Sequence, residues 1–391
     1  MSEEDLCYRY LQAAAALERG EVDAARRAFQ VLLLDEPRFA PAWDGLGGCF
    51  DLEGNLEKAG EAYRKAIRLD RMNWRSRLNW GLALQRAGEL KEAVRWLKDA
   101  ARIAPAERRP LQAIGDCYAA LGEWAEALRW LRRALEQPER DVSDAELYVR
   151  IGSAEAEQAN WQAADEAYSK ACLLSPEDPE VFYHWALTTA RSGDPENAQR
   201  LGGRAQALDP RSLRYRMFLI ELAADQGDWP GAQSRIDALS RLPGTERLRA
   251  ALSGELKRRQ NEAEAARRLA LQALSMEGPP SDQAVDSALA TLRRLRGITA
   301  TCRGFRLLVE ADCGAEAYYR PFVVLAEDED QARWFVAELQ DALDACPWRI
   351  CEADEFTHQG EALAGVYQVL LTSVLFPKDE APARSRAAVA R

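Results

Sequence analysis

The sequence predicts a mainly α-helical chain, a stacked array of helical hairpins followed by a small α+β domain. Three observations predict it. Gly20, Gly54, Gly88 and Gly122 stand 34 residues apart, and after a displaced marker at Ala159 the same step resumes at Gly193 and Gly227. Five residues past every marker is an alanine, from Ala25 and Ala59 through Ala93, Ala127, Ala164, Ala198 and Ala232 to Ala266. Past Gly297 the period stops and alternating apolar residues take over. A fixed period of this length marks units that are single supersecondary elements and that bury their apolar faces only by stacking.

Within a unit the residue types give two antiparallel helices with a tight turn at the marker. Nine residues past the marker come mostly large apolar side chains, Phe29, Tyr63, Leu97, Leu131, Tyr168 and Ile236. Small residues stand seven before it, at Gly47, Gly81, Gly115, Gly152 and Ala186. They are expected to face the alanines of the second helix and let two backbones approach closely. Seventeen past the marker, Pro37, Pro105, Pro176 and Pro210 end the second helix, because proline supplies no amide donor.

These residues resemble the tetratricopeptide repeat. Trp43, Leu46, Gly47, Phe50, Ala59, Tyr63 and Ala66 follow that family's pattern in one unit, and Ile114, Gly115, Tyr118, Ala127 and Ala134 in another. Eight units fit between roughly residues 6 and 280. The resemblance implies a right-handed superhelix of about eight helix hairpins, whose first helices line a concave groove that takes a protein or peptide.

Departures from the pattern set the boundaries. The step from Gly122 to Ala159 is 37 residues, so three extra residues fall near Glu136 to Ser143 and read as a longer connection able to bend the array. The last two units are degenerate, and Ser281 to Arg296 reads as a closing cap helix. The expected domains are therefore 1–296, the array with its cap; 297–377, a small acidic domain; and 378–391, a disordered tail biased to Ala, Arg and Pro.

In the small domain, Phe305, Leu307 and Val309 alternate in a first strand, and Tyr318 to Ala326 supplies its hairpin partner. A helix carries Ala332, Phe335, Val336 and Leu339 on one face, Trp348 to Phe356 is a third strand, and Val366 to Phe376 is read as a last strand although its apolar run also suits a helix. The order is comparable to ferredoxin-like sheets, an analogy that carries no activity.

Charge and composition narrow the function classes. The 391 residues carry a net charge of −11, and residues 297–377 hold five basic against fourteen acidic side chains, which disfavours nucleic acid as a partner of that domain. No apolar run is long enough to span a bilayer, and the start lacks a signal-peptide core, so a cytoplasmic location is expected. The eight cysteines read as free thiols: the nearest pair, Cys346 and Cys351, has four residues between rather than the two of a zinc-binding pair. His184 and His358 are the two histidines, too few for acid–base or metal chemistry to be expected. No enzyme activity, metal or cofactor is predicted.

The offsets that the resemblance assigns to the groove give Arg75, Leu78, Leu82 and Arg86 in the third unit and Arg109, Gln112 and Asp116 in the fourth. Later units add Tyr183, Leu187 and Arg191, then Met217. Arg75, Arg86 and Arg109 make a basic centre able to clamp a carboxylate. The lysines and asparagines with which some relatives hold a chaperone's C-terminal carboxylate are absent: Asp44, Leu78 and Gln112 take one offset, Gly48, Leu82 and Asp116 the other. The reading is a non-enzymatic scaffold or adaptor whose groove binds a protein or peptide, with the acidic domain as a second interaction module. The alternative is a regulatory protein whose C-terminal domain binds a small ligand, in a pocket formed by Glu310, Asp312, Asp354 and Glu355, or carries an activity that the array targets.

Overall fold

A computed structural model describes residues 3–138, 142–276, 282–296, 299–301, 303–312, 316–343, 348–356, 361–363, 365–369 and 375–377. The tail at 378–391, His358, Cys302, Cys313 and Cys346 lie outside these residues. The chain forms two compact units, Met1–Pro210 and Arg211–Arg391.

Six helical hairpins build the first unit: α1 (Glu3–Glu18) with α2 (Val22–Asp35), α3 (Ala40–Leu52) with α4 (Leu56–Leu69), α5 (Trp74–Arg86) with α6 (Leu90–Ile103), α7 (Arg108–Ala120) with α8 (Trp124–Leu135), α9 (Asp144–Glu157) with α10 (Trp161–Leu174), and α11 (Pro179–Arg191) with α12 (Pro195–Leu208). The second contains α13 (Leu213–Asp225) with α14 (Trp229–Ala238), α15 (Glu246–Arg259) with α16 (Ala263–Ser275), and then α17 (Asp282–Arg296) where the cap helix is expected.

The marker column is one backbone conformation. Gly20, Gly54, Gly88, Gly122, Gly193 and Gly227 have φ between 74° and 90°, and the displaced marker Ala159 and the eighth-unit marker Asn261 adopt φ of 57° and 62°. The amide after each marker donates back across the last helical turn, as from Asn55 to the Phe50 carbonyl at 2.8 Å and from Asn160 to that of Glu155 at 3.0 Å. This left-handed closure satisfies carbonyls that the helix end leaves open, and glycine enters it without steric cost.

Packing follows the same register. All eight alanines five past the markers are fully buried. The small residues seven before the marker face the large column more than the alanines: a methyl group on Gly115 would lie 2.8 Å from the Leu131 branch carbon, and one on Gly81 2.6 Å from that of Leu97. The expected close approach is present, with its main partner one turn further along the second helix. Consecutive first helices (α1, α3, α5, α7, α9, α11) touch one another and form the inner wall of this unit, while second helices pack on the outside.

In the second unit, α15, α16 and α17 share a core with a sheet, through Ala251, Ala270, Ala288 and Leu289 against Phe305, Phe322 and Val324. The strands are β1 (Thr299–Thr301), β2 (Arg303–Asp312), β3 (Glu316–Ala326), β4 (Trp348–Phe356), β5 (Glu361–Leu363), β6 (Gly365–Val369) and β7 (Leu375–Pro377), with α18 (Glu329–Leu343) between β3 and β4. The antiparallel order β4-β2-β3-β6, with β7 also on β3 and β1 paired with β5, buries Phe305, Leu307 and Val309 as their alternation predicts. The first two strands of this sheet, β2 and β3, join directly rather than through a helix, which departs from the ferredoxin-like order of elements. The segment read as the last strand supplies both β6 and β7.

Candidate functional site

The inner wall of the first unit is stitched by polar contacts one repeat apart. Asn79 donates to Asp44 at 3.0 Å, Arg150 to Asp116 at 2.9 Å and Gln112 to Glu146 at 2.7 Å; Arg86 pairs with Asp51, and Arg191 with Glu157. Because the first helices of successive units are neighbours, one side chain per turn meets its counterpart in the next unit.

Between α7, α9 and α11 the wall opens into a cavity of about 590 Å³. Its apolar lining is Ala119, Trp124, Leu131, Ala145, Val149 and Ala154, and its polar lining includes Asp116, Glu146, Arg150, Ser153, Glu157 and His184. Burial pushes the Asp116 carboxyl up to about 6 against the lowering effect of Arg150, and Glu146 raises it further. Arg150 also reaches Glu146 at 3.0 Å. On α11, Tyr183 meets His184 edge-on. Tyr168 beneath is held by Ser153 at 2.9 Å and Thr188 at 3.1 Å. Apolar walls with a few fixed polar groups suit recognition of a side chain presented by a partner.

The groove residues expected from sequence divide into three sets. Arg75 and Arg109 are exposed, Arg75 with its guanidinium over the Trp74 ring at 5.4 Å. Arg86 and Arg191 are exposed but hold carboxylates of the preceding unit. Leu78 and Gln112 are buried between hairpins, at 4% and 7% exposure, while Leu82, Tyr183 and Leu187 are half-buried. Of the expected residues in this unit, Asp116 lines the cavity. Met217 belongs to the second unit, where it lines a separate 360 Å³ cavity with Ile220, Leu252 and Leu256; beside it Glu255 binds Arg258, Arg259 and Arg294.

Sequence reasoning missed a buried arginine at the connection between α8 and α9. Arg108, 3% exposed, donates to the Gln137 carbonyl at 2.8 and 2.5 Å, to the Val142 carbonyl at 3.0 Å and to Asp144 at 2.5 Å. It closes the end of α8 and ties down the lengthened connection into α9. Arg247, also buried, binds the carbonyls of Ala273 and Leu274 in the last turn of α16 and of Met276 just past it, and burial lowers the pKa of its guanidinium. Both stand fourteen residues before their markers, in units that lack the proline seventeen after. That coincidence was the available signal.

Other candidate chemistry is sparse. Burial raises the Cys49 thiol to about 11 and the Cys117 thiol to about 12, and both are buried. Among the described residues no group of three His, Cys, Asp or Glu side chains is placed to hold a metal ion. Strand register sets Glu310 opposite Arg349 and Asp354 opposite Arg306; the acidic pocket read into these strands rests on side chains outside the described set. No described helix is long and apolar enough to cross a membrane.

Residues 10–73 match the family described as tetratricopeptide repeat. Over 216 residues the chain is 22% identical to Superkiller protein 3 of Schizosaccharomyces pombe, covering 54% of this chain and 13% of that protein, so it spans only a small part of that relative's length. The crystal structure of yeast Tom70 is similar with a TM-score of 0.52 and 16% identity, covering 70% of this chain and 59% of that one. The crystal structure of the APC/C hetero-tetramer Cut9-Hcn1 gives 0.47 and 22%, over 56% of this chain and 42% of that one. At these identities the likeness is one of fold.

Proposed function

We propose that this chain, whose helical hairpins are tetratricopeptide repeats, is a non-enzymatic interaction scaffold that grips a protein or peptide partner on the inner wall of its array. The observation that carries the reading is the 590 Å³ cavity between α7, α9 and α11, lined by both apolar and hydrogen-bonding side chains. Arg75 and Arg109, exposed on the same succession of first helices, supply cations for a carboxylate of the partner. Arg86 and Arg191 serve chiefly to lock neighbouring units, since each already holds an acid. Residues 1–296 act as the gripping array and 297–377 as a second, acidic interaction module that nucleic acid would not favour. The protein works in the cytoplasm.

The test is affinity capture from the native organism, with wild type beside Val149→Arg, which fills the cavity, and beside Arg75→Ala/Arg109→Ala. Loss of one specific protein in either variant supports the inner-wall site. An unchanged set of captured proteins in both overturns it. Removal of 297–391 in the same experiment shows whether the acidic module selects its own partner.

A further inference from the structure

We infer that the outer face of α4, α6 and α8 is a second docking surface, shaped for an acidic segment of a partner protein. The three helices carry Arg64, Lys98 and Arg132 at one register position, 34 residues apart, flanked by Lys65, Arg95 and Arg133, and all six are exposed. The neighbouring outer helices do not continue the column: α2 has Gln30 there, α10 has Ser169 and α12 has Gly203. The column at this position is therefore confined to three units, although Lys170 and Arg204 continue the flanking position of Lys65 and Arg133.

The state of these cations separates them from those of the inner wall. On the inner wall Arg86, Arg150 and Arg191 hold carboxylates one repeat away. Of the six outer cations, Arg132 alone forms an ion pair among the described residues, at 2.5 Å to Glu155. Several of the others lie over aromatic rings: Arg64 over Trp80 at 5.8 Å, Lys65 over Trp43 at 5.7 Å, Lys98 over Trp130 at 5.5 Å, where it also donates to the Tyr118 hydroxyl at 2.7 Å, and Arg133 over the Trp130 ring at 5.3 Å. Stacking on a ring face positions a cation while leaving N–H groups free to donate, so less side-chain freedom is lost when an acid arrives.

Charge decides the class of occupant. Screening confines each cation's influence to roughly 8 Å at physiological ionic strength. A short acidic segment lying along the stripe feels the local positive charge, whereas a nucleic acid or an anionic membrane presents charge over a wider span and meets a chain whose net charge is −11. An Asp/Glu-rich segment crossing from α4 to α8 would meet one basic row per unit.

The test uses the full chain and a fluorescein-labelled 16-residue Asp/Glu-rich peptide, with its Asn/Gln counterpart as control, followed by anisotropy at low salt. Wild type is expected to bind the acidic peptide and not the neutral one. Binding should weaken roughly tenfold or more in Arg64→Gln/Lys98→Gln/Arg133→Gln, since several charge-assisted contacts of modest size are lost together. These side chains are exposed, and an unchanged melting temperature confirms the fold. Val149→Arg should leave peptide binding intact, which separates this surface from the inner-wall cavity. No binding by wild type, equal binding by the triple variant, or stronger binding to a single-stranded oligonucleotide or to anionic lipid vesicles than to the acidic peptide overturns the inference.

Discussion

Hairpins that keep the 34-residue step and the two that end it solve the same problem with different chemistry. In register, a second helix stops in a compact turn, with proline at Pro37, Pro105, Pro176 and Pro210, and the chain re-enters the next first helix within a few residues. Where the connection lengthens after α8, or the hairpin array ends after α16, a buried arginine donates to carbonyls at the helix end. Arg108 and Arg247 do so from one register position. The difference teaches that the repeat is held at its joints by backbone closure, and that a break in the period is tolerated where a buried guanidinium replaces that closure.

The sharpest way to break this comparison is Arg108→Ala. The change leaves the Gln137 and Val142 carbonyls without their donor, and each unsatisfied buried group costs about 1–3 kcal/mol, so a loss of about 3 kcal/mol is expected. Hydrogen exchange should localise it to α8, α9 and their connection, with α3 to α6 unchanged. Arg247→Ala should act the same way at the end of α16. A loss spread evenly over the first unit would show that the arginine is not specific to the joint.

A second effect belongs to the cavity between α7, α9 and α11. The folded Asp116 carboxyl titrates at about 6, well above its ordinary 3.8. The folded state therefore binds this proton more tightly than the unfolded chain does. Its stabilising influence is present below pH 4 and is lost as pH rises through 6, by about 3 kcal/mol if no other group intervenes. Asp116→Asn should flatten that slope in a denaturation series taken across the interval. A slope identical to wild type would place the titration elsewhere.

The third concerns the in-register packing. In Gly115→Ala the new methyl group meets the Leu131 branch carbon at 2.8 Å, and overpacking of this kind costs about 2 kcal/mol, offset by about 1 kcal/mol of helix propensity. A net loss of about 1 kcal/mol is expected by urea denaturation. The sixth hairpin illustrates the rule in reverse, since there Ala186 stands in the small column and Gly202 in the large one.

These cases show how far the sequence was legible. Glycine spacing and the alanine column report backbone closure and tight packing, both of which repeat with the register, so the hairpins and their turns could be read directly. The inner wall was less legible because side chains there are shared between units. Leu78 and Gln112 look exposed within one repeat and become buried when the next first helix packs on them. Arg86 and Arg191 look like free clamps until Asp51 and Glu157, one step earlier, are paired with them. Arg108 reads as a solvated surface cation because burial of arginine depends on acceptors that only the folded connection brings together.

The smallest predicted effect tests the displaced marker itself. Ala159 adopts φ of 57°, where its side chain crowds the backbone and where six other markers are glycine. Left-handed backbone costs an L-residue about 1 kcal/mol or more, while glycine gives part of this back through its freer unfolded chain. Ala159→Gly should therefore stabilise the chain by about 0.5 kcal/mol, and Gly122→Ala should destabilise it by a similar or larger amount. Asn261→Gly should change less, because asparagine tolerates this conformation better than alanine. If Ala159→Gly is destabilising, the longer connection relieves the marker of its strain, and the joint after α8 is governed by Arg108 rather than by the turn that closes α9.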